Sequence, residues 1–505
     1  MALFKKALCG VLAAVLLLSA CACGTNNEQL PPDEQPEQTS GEASTIVNEE
    51  TEVKETLDIP DTRYDGTDLV FLTRDESEWS TTEIFAEKDS IKDDVISDAV
   101  YTRNDMILQN YGVTVKEYKV NTGEVPSIVQ REVQATSGDF KAITTNVNNS
   151  AGMTTNALIW NLNSEETSSI DFSKSWWDKK LVDGFTMNDM VFFATGDLLT
   201  LDNDATFVMM FNKTIATECQ LPNLYEMVDN YEWTFDKLFE YEQLAIEDPD
   251  GDGKLQYDSG VCGFALTDDV FYSMFYAGGL CVVSKDQNGD LLFSLDVART
   301  QDVADSAKRI FGKDYIVNIN TFATSTGEGV VEIGKTCFGE NHALFFGEVL
   351  QCVERMRGFD VDFGVIPYPM YDTNQKEYHH MMHTTGSVVS IPRSVKEDIE
   401  MVSSMIEAMA YYAQDTLTKQ YYEINLTTKN VKDEQSGPMI DLILESRVCD
   451  LAYYFGWGSA LATLTEALKP DSTKNVASSA KALSKAVDRQ MKKAVDDIEK
   501  KYNSN

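Results

Sequence analysis

Basic residues are scarce in this chain. Lysine and arginine together number 42, against 82 aspartates and glutamates, which gives a formal net charge of −40 over 505 residues. A surface with this charge repels phosphate backbones and anionic lipid headgroups, which argues against nucleic acid and against an anionic membrane surface as partners. The excess of acid favours solubility outside the cell, and it says little about an uncharged ligand.

Histidine is rarer still, with four in the whole chain. Three of them lie in the stretch EYHHMMH, at His379, His380 and His383, and a metal site built on them needs a fourth ligand from elsewhere. The sequence also lacks HExxH, a GxSxG elbow and a Walker loop, so no catalytic residue is predicted. A pair of carboxylates for glycoside hydrolysis stays open, because the many acidic residues offer countless pairs.

The cysteines show neither CxxC spacing nor the Cys/His spacing of a metal site. Nine cysteines suggest a disulfide framework only in a much shorter chain. Those in the body of the chain are interpreted mostly as small buried hydrophobic residues. A disulfide between two of them stays open. They are Cys219, Cys262, Cys281, Cys337, Cys352 and Cys449.

The first twenty residues have the pattern of a secretory leader. Lys5 and Lys6 form a positive region, and the apolar run 7–18 after them is short for a transmembrane span. The run ends in LSAC, which resembles a bacterial lipobox; the resemblance implies cleavage before Cys21 and lipidation of that cysteine. Cleavage without lipidation, or at Cys23, is the alternative.

Residues 21–66 are rich in Pro, Gln, Glu, Ser and Thr and have almost no apolar pattern. Such a composition predicts a disordered linker. Two acyl chains on one cysteine suffice for stable anchoring, so the linker would hold a folded body away from a membrane. The predicted location is the extracellular face of a cell membrane of the Gram-positive type.

After the linker, apolar runs alternate with helical patterns. The runs at 69–73 and 113–120 predict buried strands, and the segments between them have helical spacing. This alternation predicts an α/β fold with a parallel sheet. Ligands of such folds bind at the carboxyl ends of the strands, which places Trp79 and the loop 146–149 near a cleft.

Aspartates alternate in the turn DPDGDGK. Alternating carboxylates followed by a glycine begin calcium loops of the EF-hand type, because they converge on one hard cation. The final glutamate of such loops is missing here, and the nearest substitute is one position early. The predicted ligand set is Asp248, Asp250, Asp252, the Lys254 carbonyl and Asp258. A structural calcium site and a solvated turn both fit this sequence, and no other cofactor is predicted.

The segment from Trp233 to Leu266 resembles a recurring part of the sugar-binding lipoproteins of bacterial ABC importers. In those proteins a WT(W/F)D helix leads into a D-x-DGDGK turn and a G-F strand. FNK at 211–213 and MIDLILESRVCDLAYYFGWG at 439–458 resemble further segments of such lipoproteins. The resemblance implies a two-lobe, periplasmic-binding-protein-like α/β fold of type II, whose lobes are joined by hinge crossings and close over the ligand.

The same resemblance implies a monomer that passes a sugar or oligosaccharide to ABC permease subunits without covalent chemistry. It divides the chain into lobe one, at 67–195 plus 384–415, and lobe two, at 196–383 plus 416–505. The last of these ranges contains a long amphipathic helix at 476–502.

Aromatic side chains at predicted loop and hinge positions are candidate sugar contacts, because sugars present apolar C–H faces. Each of them is also a candidate core residue. The predicted ligand-binding residues are Trp79, Asn148, Trp177, Asp197, His383 and Trp457. Two alternatives stay open: a surface lipoprotein glycoside hydrolase or lyase, which would turn glycans over, and a binding protein for peptides or another solute.

Overall fold

The computed structural model describes residues 55–75, 82–88, 94–327, 329–423 and 434–502. The predicted leader, the lipidation site Cys21 and the candidate Trp79 lie outside these residues. The described residues belong to one compact unit, Glu55–Asn505.

The folded unit begins earlier than predicted, within the proposed linker. Leu57, Ile59 and Tyr64 pack against the core of the first lobe. Arg63 Nη1 donates hydrogen bonds to two backbone carbonyls at the end of the first helix, at 2.7 and 2.9 Å. The prediction that the linker extends to residue 66 is therefore corrected. Residues from 55 onwards belong to the folded unit, because three apolar side chains at 55–66 pack against its core.

The strands are β1 (Thr67–Arg74), β2 (Val113–Val120), β3 (Ala142–Asn146), β4 (Phe207–Asn212), β5 (Cys262–Leu266), β6 (Val283–Lys285), β7 (Leu291–Phe293), β8 (Ile316–Asn318), β9 (Ala343–Val349), β10 (Phe363–Ile366), β11 (His380–Met381), β12 (Ser387–Ser390) and β13 (Arg447–Val448).

The α-helices are α1 (Val95–Tyr111), α2 (Val125–Ala135), α3 (Val147–Thr155), α4 (Lys179–Phe185), α5 (Leu201–Asp204), α6 (Lys213–Glu218), α7 (Leu224–Asp229), α8 (Phe235–Glu242), α9 (Val270–Ala277), α10 (Val297–Phe311), α11 (Ile319–Thr326), α12 (Val330–Gly339), α13 (Gln351–Arg355), α14 (Ile399–Ala413), α15 (Lys419–Tyr422), α16 (Ser436–Glu445), α17 (Leu451–Tyr454), α18 (Ala460–Thr465) and α19 (Val476–Tyr502).

The first lobe is built on a four-stranded sheet in the order β12-β3-β1-β2. Strand β1 is parallel to β2 and β3, whereas β12 is antiparallel to β3. Leu69, Phe71 and Leu72 of β1 are fully buried, as expected for a strand covered on both faces. Helix α1 begins at the side-chain cap of Asp94 and ends at Gly112, whose φ of 73° favours glycine.

The second lobe is built on a five-stranded sheet in the order β10-β4-β9-β5-β8. Strand β5 is parallel to β8 and β9, whereas β4 is antiparallel to both β9 and β10. All six residues of β4 are buried, because FVMMFN supplies apolar side chains to both faces.

Two crossing segments run side by side between the lobes. Ala194 and Val389 exchange backbone hydrogen bonds of 3.1 and 2.8 Å, and Thr206 forms an antiparallel bridge with Met382. Because β12 follows the strands of the second sheet in the chain, the chain leaves the first lobe and returns to it.

The C-terminal helix α19 matches the predicted amphipathic helix. It buries one apolar stripe, which includes Leu483, Val487 and Met491, and it packs against α10 and α18. Among the described residues, no helix is both long and apolar enough to cross a membrane.

Candidate functional site

The carboxyl ends of strands from both sheets lie near the crossings. In the first sheet β1 ends at Arg74 and β3 ends at Asn146, opposite Ser387 at the start of β12. In the second sheet β9 ends at Val349, opposite Phe207 at the start of β4. The carboxyl ends of strands in open α/β sheets are where ligands bind, so this junction is the candidate site.

Residues 382–386, the inter-lobe segment, contact both edges. On one side the backbone N–H of His383 donates to the Ala205 carbonyl at 2.8 Å. On the other side the Thr384 carbonyl accepts from the backbone N–H of Val147 at 3.2 Å. Side chains of this segment are therefore within reach of both lobes.

Opposite charges approach His383 from the two lobes. Arg74 comes from the end of β1, and Asp269 stands at the start of α9. Burial lowers the pKa of His383 and Arg74 lowers it further, whereas the carboxylate of Asp269 acts in the opposite direction. Burial raises the pKa of Asp269. The ring of His383 also packs edge-on against Phe207, with 5.8 Å between the centroids.

A buried chain of hydrogen bonds orients Arg74. Its Nη2 donates to Ser387 Oγ at 3.1 Å, and Ser387 Oγ donates to Glu83 Oε2 at 2.9 Å. Glu83 Oε1 accepts from the backbone N–H groups of Thr200 and Leu201, at 2.8 and 2.7 Å. A guanidinium that is held by such a network is preorganised for a polar ligand.

Two half-buried tyrosines adjoin Asp269. The rings of Tyr272 and Tyr453 lie 6.0 Å apart and are inclined by 43°. Both interact electrostatically with Asp269, and the Tyr453 side chain hydrogen-bonds to Thr384. Aromatic faces beside a carboxylate suit a polyhydroxylated ligand. The inter-lobe site comprises Arg74, Asp269, Tyr272, His383 and Tyr453.

Of the predicted tryptophan contacts, Trp177 is a core residue. It is 3% exposed, and its indole N–H donates to Glu407 Oε2 at 2.9 Å, while Trp176 donates to Glu407 Oε1 at the same distance. Both indoles are therefore fixed by one carboxylate in α14, and the prediction of Trp177 as a sugar contact is corrected.

Trp457 is also placed in the core, at 4% exposure. Its ring stacks on Phe455 with 5.2 Å between the centroids, and the following residue, Gly458, donates its N–H to Gln490 of α19 at 2.6 Å. The long C-terminal helix covers this segment, which corrects the prediction that Trp457 faces the cleft.

The other three predicted contacts lie in different places. His383 lies in the inter-lobe site. Asp197 lies at a crossing, where its Oδ1 accepts from Thr418 Oγ1 at 3.0 Å and burial raises its pKa to about 7. Asn148 is exposed in the first turn of α3, and its neighbour Asn146 uses its side chain to cap that helix.

Four members of the site were not predicted: Arg74, Asp269, Tyr272 and Tyr453. A signal for two of them was present, because Arg74 follows the apolar run of β1 and Asp269 follows that of β5. Residues after such strands are expected at the ligand edge. The two tyrosines had no such signal, since adjacent aromatic residues such as YYF are equally typical of a core.

The acidic turn brings three of its predicted ligands together. Oxygens of Asp248, Asp250 and Asp252 lie within 4.8 Å of one another. The hydrogen bond from the Gly253 backbone lowers the pKa of Asp248, which keeps this carboxylate charged. An all-oxygen set of this kind fits calcium. Asp258 is exposed and is not part of this group, while the Lys254 N–H donates to Asp252 Oδ1 at 2.7 Å.

Solved structures share this fold. An ABC substrate-binding protein from Listeria monocytogenes, in complex with cycloalternan, is 11% identical with a TM-score of 0.53, over 85% of this chain and 100% of that chain. MalX from Streptococcus pneumoniae, in complex with maltopentaose, is 15% identical with a TM-score of 0.52, over 84% and 100%. A sugar transporter from Rhizobium etli in an open conformation is 11% identical with a TM-score of 0.54, over 84% and 99%.

No protein-family model and no curated protein matches the sequence. The structural similarity confirms the predicted two-lobe α/β fold, which is that of the ABC solute-binding proteins. These structural neighbours are binding and transport proteins rather than enzymes.

Proposed function

We propose that this chain is the substrate-binding protein of an ABC importer and captures a sugar or oligosaccharide between its lobes. The observation that carries the proposal is the inter-lobe site, where Tyr272 and Tyr453 adjoin Asp269 at the ligand edges of both sheets. The similarity to structures bound to cycloalternan and maltopentaose supports the choice of ligand class.

In the proposed mechanism, each lobe contributes a different part of the site. The tyrosine rings stack on the C–H faces of a sugar, while Asp269 and Arg74 hydrogen-bond to its hydroxyl groups. A ligand that contacts both lobes binds the closed state more tightly than the open state, and it thereby shifts the protein towards closure. Permease subunits then recognise the closed form, and the sugar leaves chemically unchanged.

The location and the assembly are part of the proposal. A lipid on Cys21 would anchor a monomer at the extracellular face of the membrane, and the charge of −40 favours solubility of the body there. The intact mass of the native protein tests the anchor, with Cys23→Ser as the control for Cys21→Ser. A mature chain without lipid on Cys21 would contradict it.

We also propose that Asp248, Asp250 and Asp252 hold a structural calcium ion. Their turn is closed at its base by an antiparallel bridge between Glu247 and Val261, which links the end of α8 to β5. A bound ion there would fix the entry to the interior strand β5 of the second sheet.

Binding and turnover together test the main proposal. The full chain is titrated with maltopentaose, with cycloalternan and with a mixed tripeptide library, and the saccharides are recovered and chromatographed afterwards. We expect a saccharide to bind saturably and to be recovered intact. Shortened products would favour a glycoside hydrolase, and binding of peptides alone would favour a peptide-binding protein.

A further inference from the structure

Two buried cysteines of the second lobe have their side chains in contact. Cys262 is the first residue of β5 and is 1% exposed, and Cys337 lies in α12 and is fully buried. The side chains of the two residues share a hydrogen bond, and both thiols are free in this structure.

The backbone fixes this contact. His342, which precedes β9, donates its N–H to the Cys337 carbonyl at 2.8 Å and accepts from the Cys262 N–H at 2.8 Å. The next residue, Ala343, is the register partner of Cys262 in the sheet. The backbone of His342 is therefore hydrogen-bonded to both cysteines. These bonds hold the two residues close together whichever rotamers their side chains adopt.

A second pair of cysteines is arranged differently. Cys281 Sγ donates to the Val283 carbonyl at 2.9 Å, and the side chain of Cys449 packs against Gly184. The two thiols are close enough to interact electrostatically, so this pair serves as the competitor in the test below.

We propose that Cys262 and Cys337 form a disulfide that joins β5 to α12 in the exported protein. Each thiol gives up its proton, one sulfur–sulfur bond forms, and two electrons pass to a disulfide oxidant of the glutathione type, which becomes two thiols. An oxidising exterior is the only part of the proposed function that this inference uses. A defined redox buffer replaces it in the test, so the outcome is independent of the ligand.

The surroundings indicate when the bond forms. The hydrogen bond with Cys262 and burial raise the pKa of Cys337 well above its usual range, so this residue carries little reactive thiolate in the folded protein. The oxidation therefore takes place during folding, before β5 and α12 enclose the two sulfurs. The resulting cross-link stabilises the protein chiefly by restricting the unfolded chain.

Peptide mapping tests the pairing. The full chain is refolded in a buffer of reduced and oxidised glutathione, unfolded in guanidinium chloride, alkylated, and digested without reductant. We expect a cross-linked peptide that contains Cys262 and Cys337, while Cys352 is alkylated. Complete alkylation of Cys262 and Cys337, or a cross-link of Cys281 to Cys449 alone, would overturn the proposal.

Melting curves supply a second readout. Reductant should lower the melting temperature of the wild type and of the control Cys352→Ser, and it should leave that of Cys262→Ser unchanged. An equal drop in Cys262→Ser would overturn the proposal. If that variant fails to fold, the peptide map of the wild type decides by itself.

Discussion

The rings of Tyr272 and Tyr453 lie 6.0 Å apart, inclined by 43°, beside the carboxyl group of Asp269. Tyr272 belongs to α9, which follows the interior strand β5, whereas Tyr453 belongs to α17 near the C-terminus. Both rings are half-buried, and Tyr453 is hydrogen-bonded to Thr384 of the inter-lobe segment. In the proposed function, a saccharide that enters between the lobes stacks on this pair.

Removing the ring of Tyr453 should weaken saccharide binding. We expect Tyr453→Ala to raise the dissociation constant several-fold to about tenfold, since an aromatic contact contributes on the order of 1 kcal/mol. Titration calorimetry with the bound saccharide measures the change. The matched control is Tyr315→Ala, a half-buried tyrosine directly before β8, at the opposite edge of the second sheet. Equal losses in both variants would contradict the placement of the ligand.

Trp177 should matter for stability and not for affinity. Because its ring is buried and its N–H is bound by Glu407, Trp177→Ala should lower the free energy of unfolding by roughly 3–5 kcal/mol. Urea denaturation measures this loss, and the exposed Tyr118 supplies a control as Tyr118→Ala. If Trp177→Ala keeps the stability of the wild type but loses saccharide binding, Trp177 is a ligand contact and its assignment to the core is wrong.

The sequence allowed most of the fold to be predicted, because its signals are local. Each of three elements can be recognised from a short stretch of sequence: the apolar run of β1, the span of β2 at 113–120 and the apolar stripe of α19. The site depends on distant contacts. Trp176 and Trp177 are core residues because Glu407, 230 residues away from Trp177, meets both indoles, and no local pattern shows this.

The same reason applies to the YYFGWG stretch, where the structure buries Trp457 and the proposed site uses Tyr453 instead. Tyr453 and Trp457 are four positions apart, and which of them faces the other lobe depends on α17, which is only four residues long. The later helix α19 then covers Trp457. The assignment of His383 as a ligand contact stays a prediction, and the structure places this residue in the inter-lobe segment, shortly before the return strand β12.

Stability should fall as the pH rises from 5 to 8. Burial raises the pKa of Asp204 to about 8, although the Tyr421 hydroxyl donates to it at 2.7 Å. A raised pKa means that the folded state holds the proton more tightly, so the contribution is complete below the unfolded pKa and is lost as the pH rises through 8. The slope from one such group is at most about 1.4 kcal/mol per pH unit.

Asp204→Asn tests this dependence, because its side chain carries no charge at any pH. Urea denaturation at pH 5 and pH 8 should show a shallower dependence in Asp204→Asn than in the wild type. The slope should not vanish, since burial also raises the pKa of Asp202 and of Glu348 to about 7. The exposed Asp302 gives the control Asp302→Asn. An unchanged slope in Asp204→Asn would show that the raised pKa of Asp204 does not contribute to the pH dependence of stability.

Calcium should raise the melting temperature if the acidic turn holds the ion. A ligand that binds only the folded state stabilises it by RT ln(1 + [L]/Kd), so millimolar calcium should shift the transition upwards relative to EDTA. Asp250→Asn should abolish the shift. The control is Asp286→Asn, in the exposed turn between β6 and β7, where Asp286 accepts from two backbone N–H groups. Identical melting in EDTA and in calcium would show that the residues form only a turn.

The most direct test of the central claim is a crystal structure of the full chain with the saccharide that binds in titration. The account predicts that one sugar ring lies against Tyr453 while a hydroxyl group of the same saccharide hydrogen-bonds to Arg74, so that both lobes contact the ligand. A saccharide bound on the outer surface of one lobe, with the inter-lobe site empty, would contradict the account.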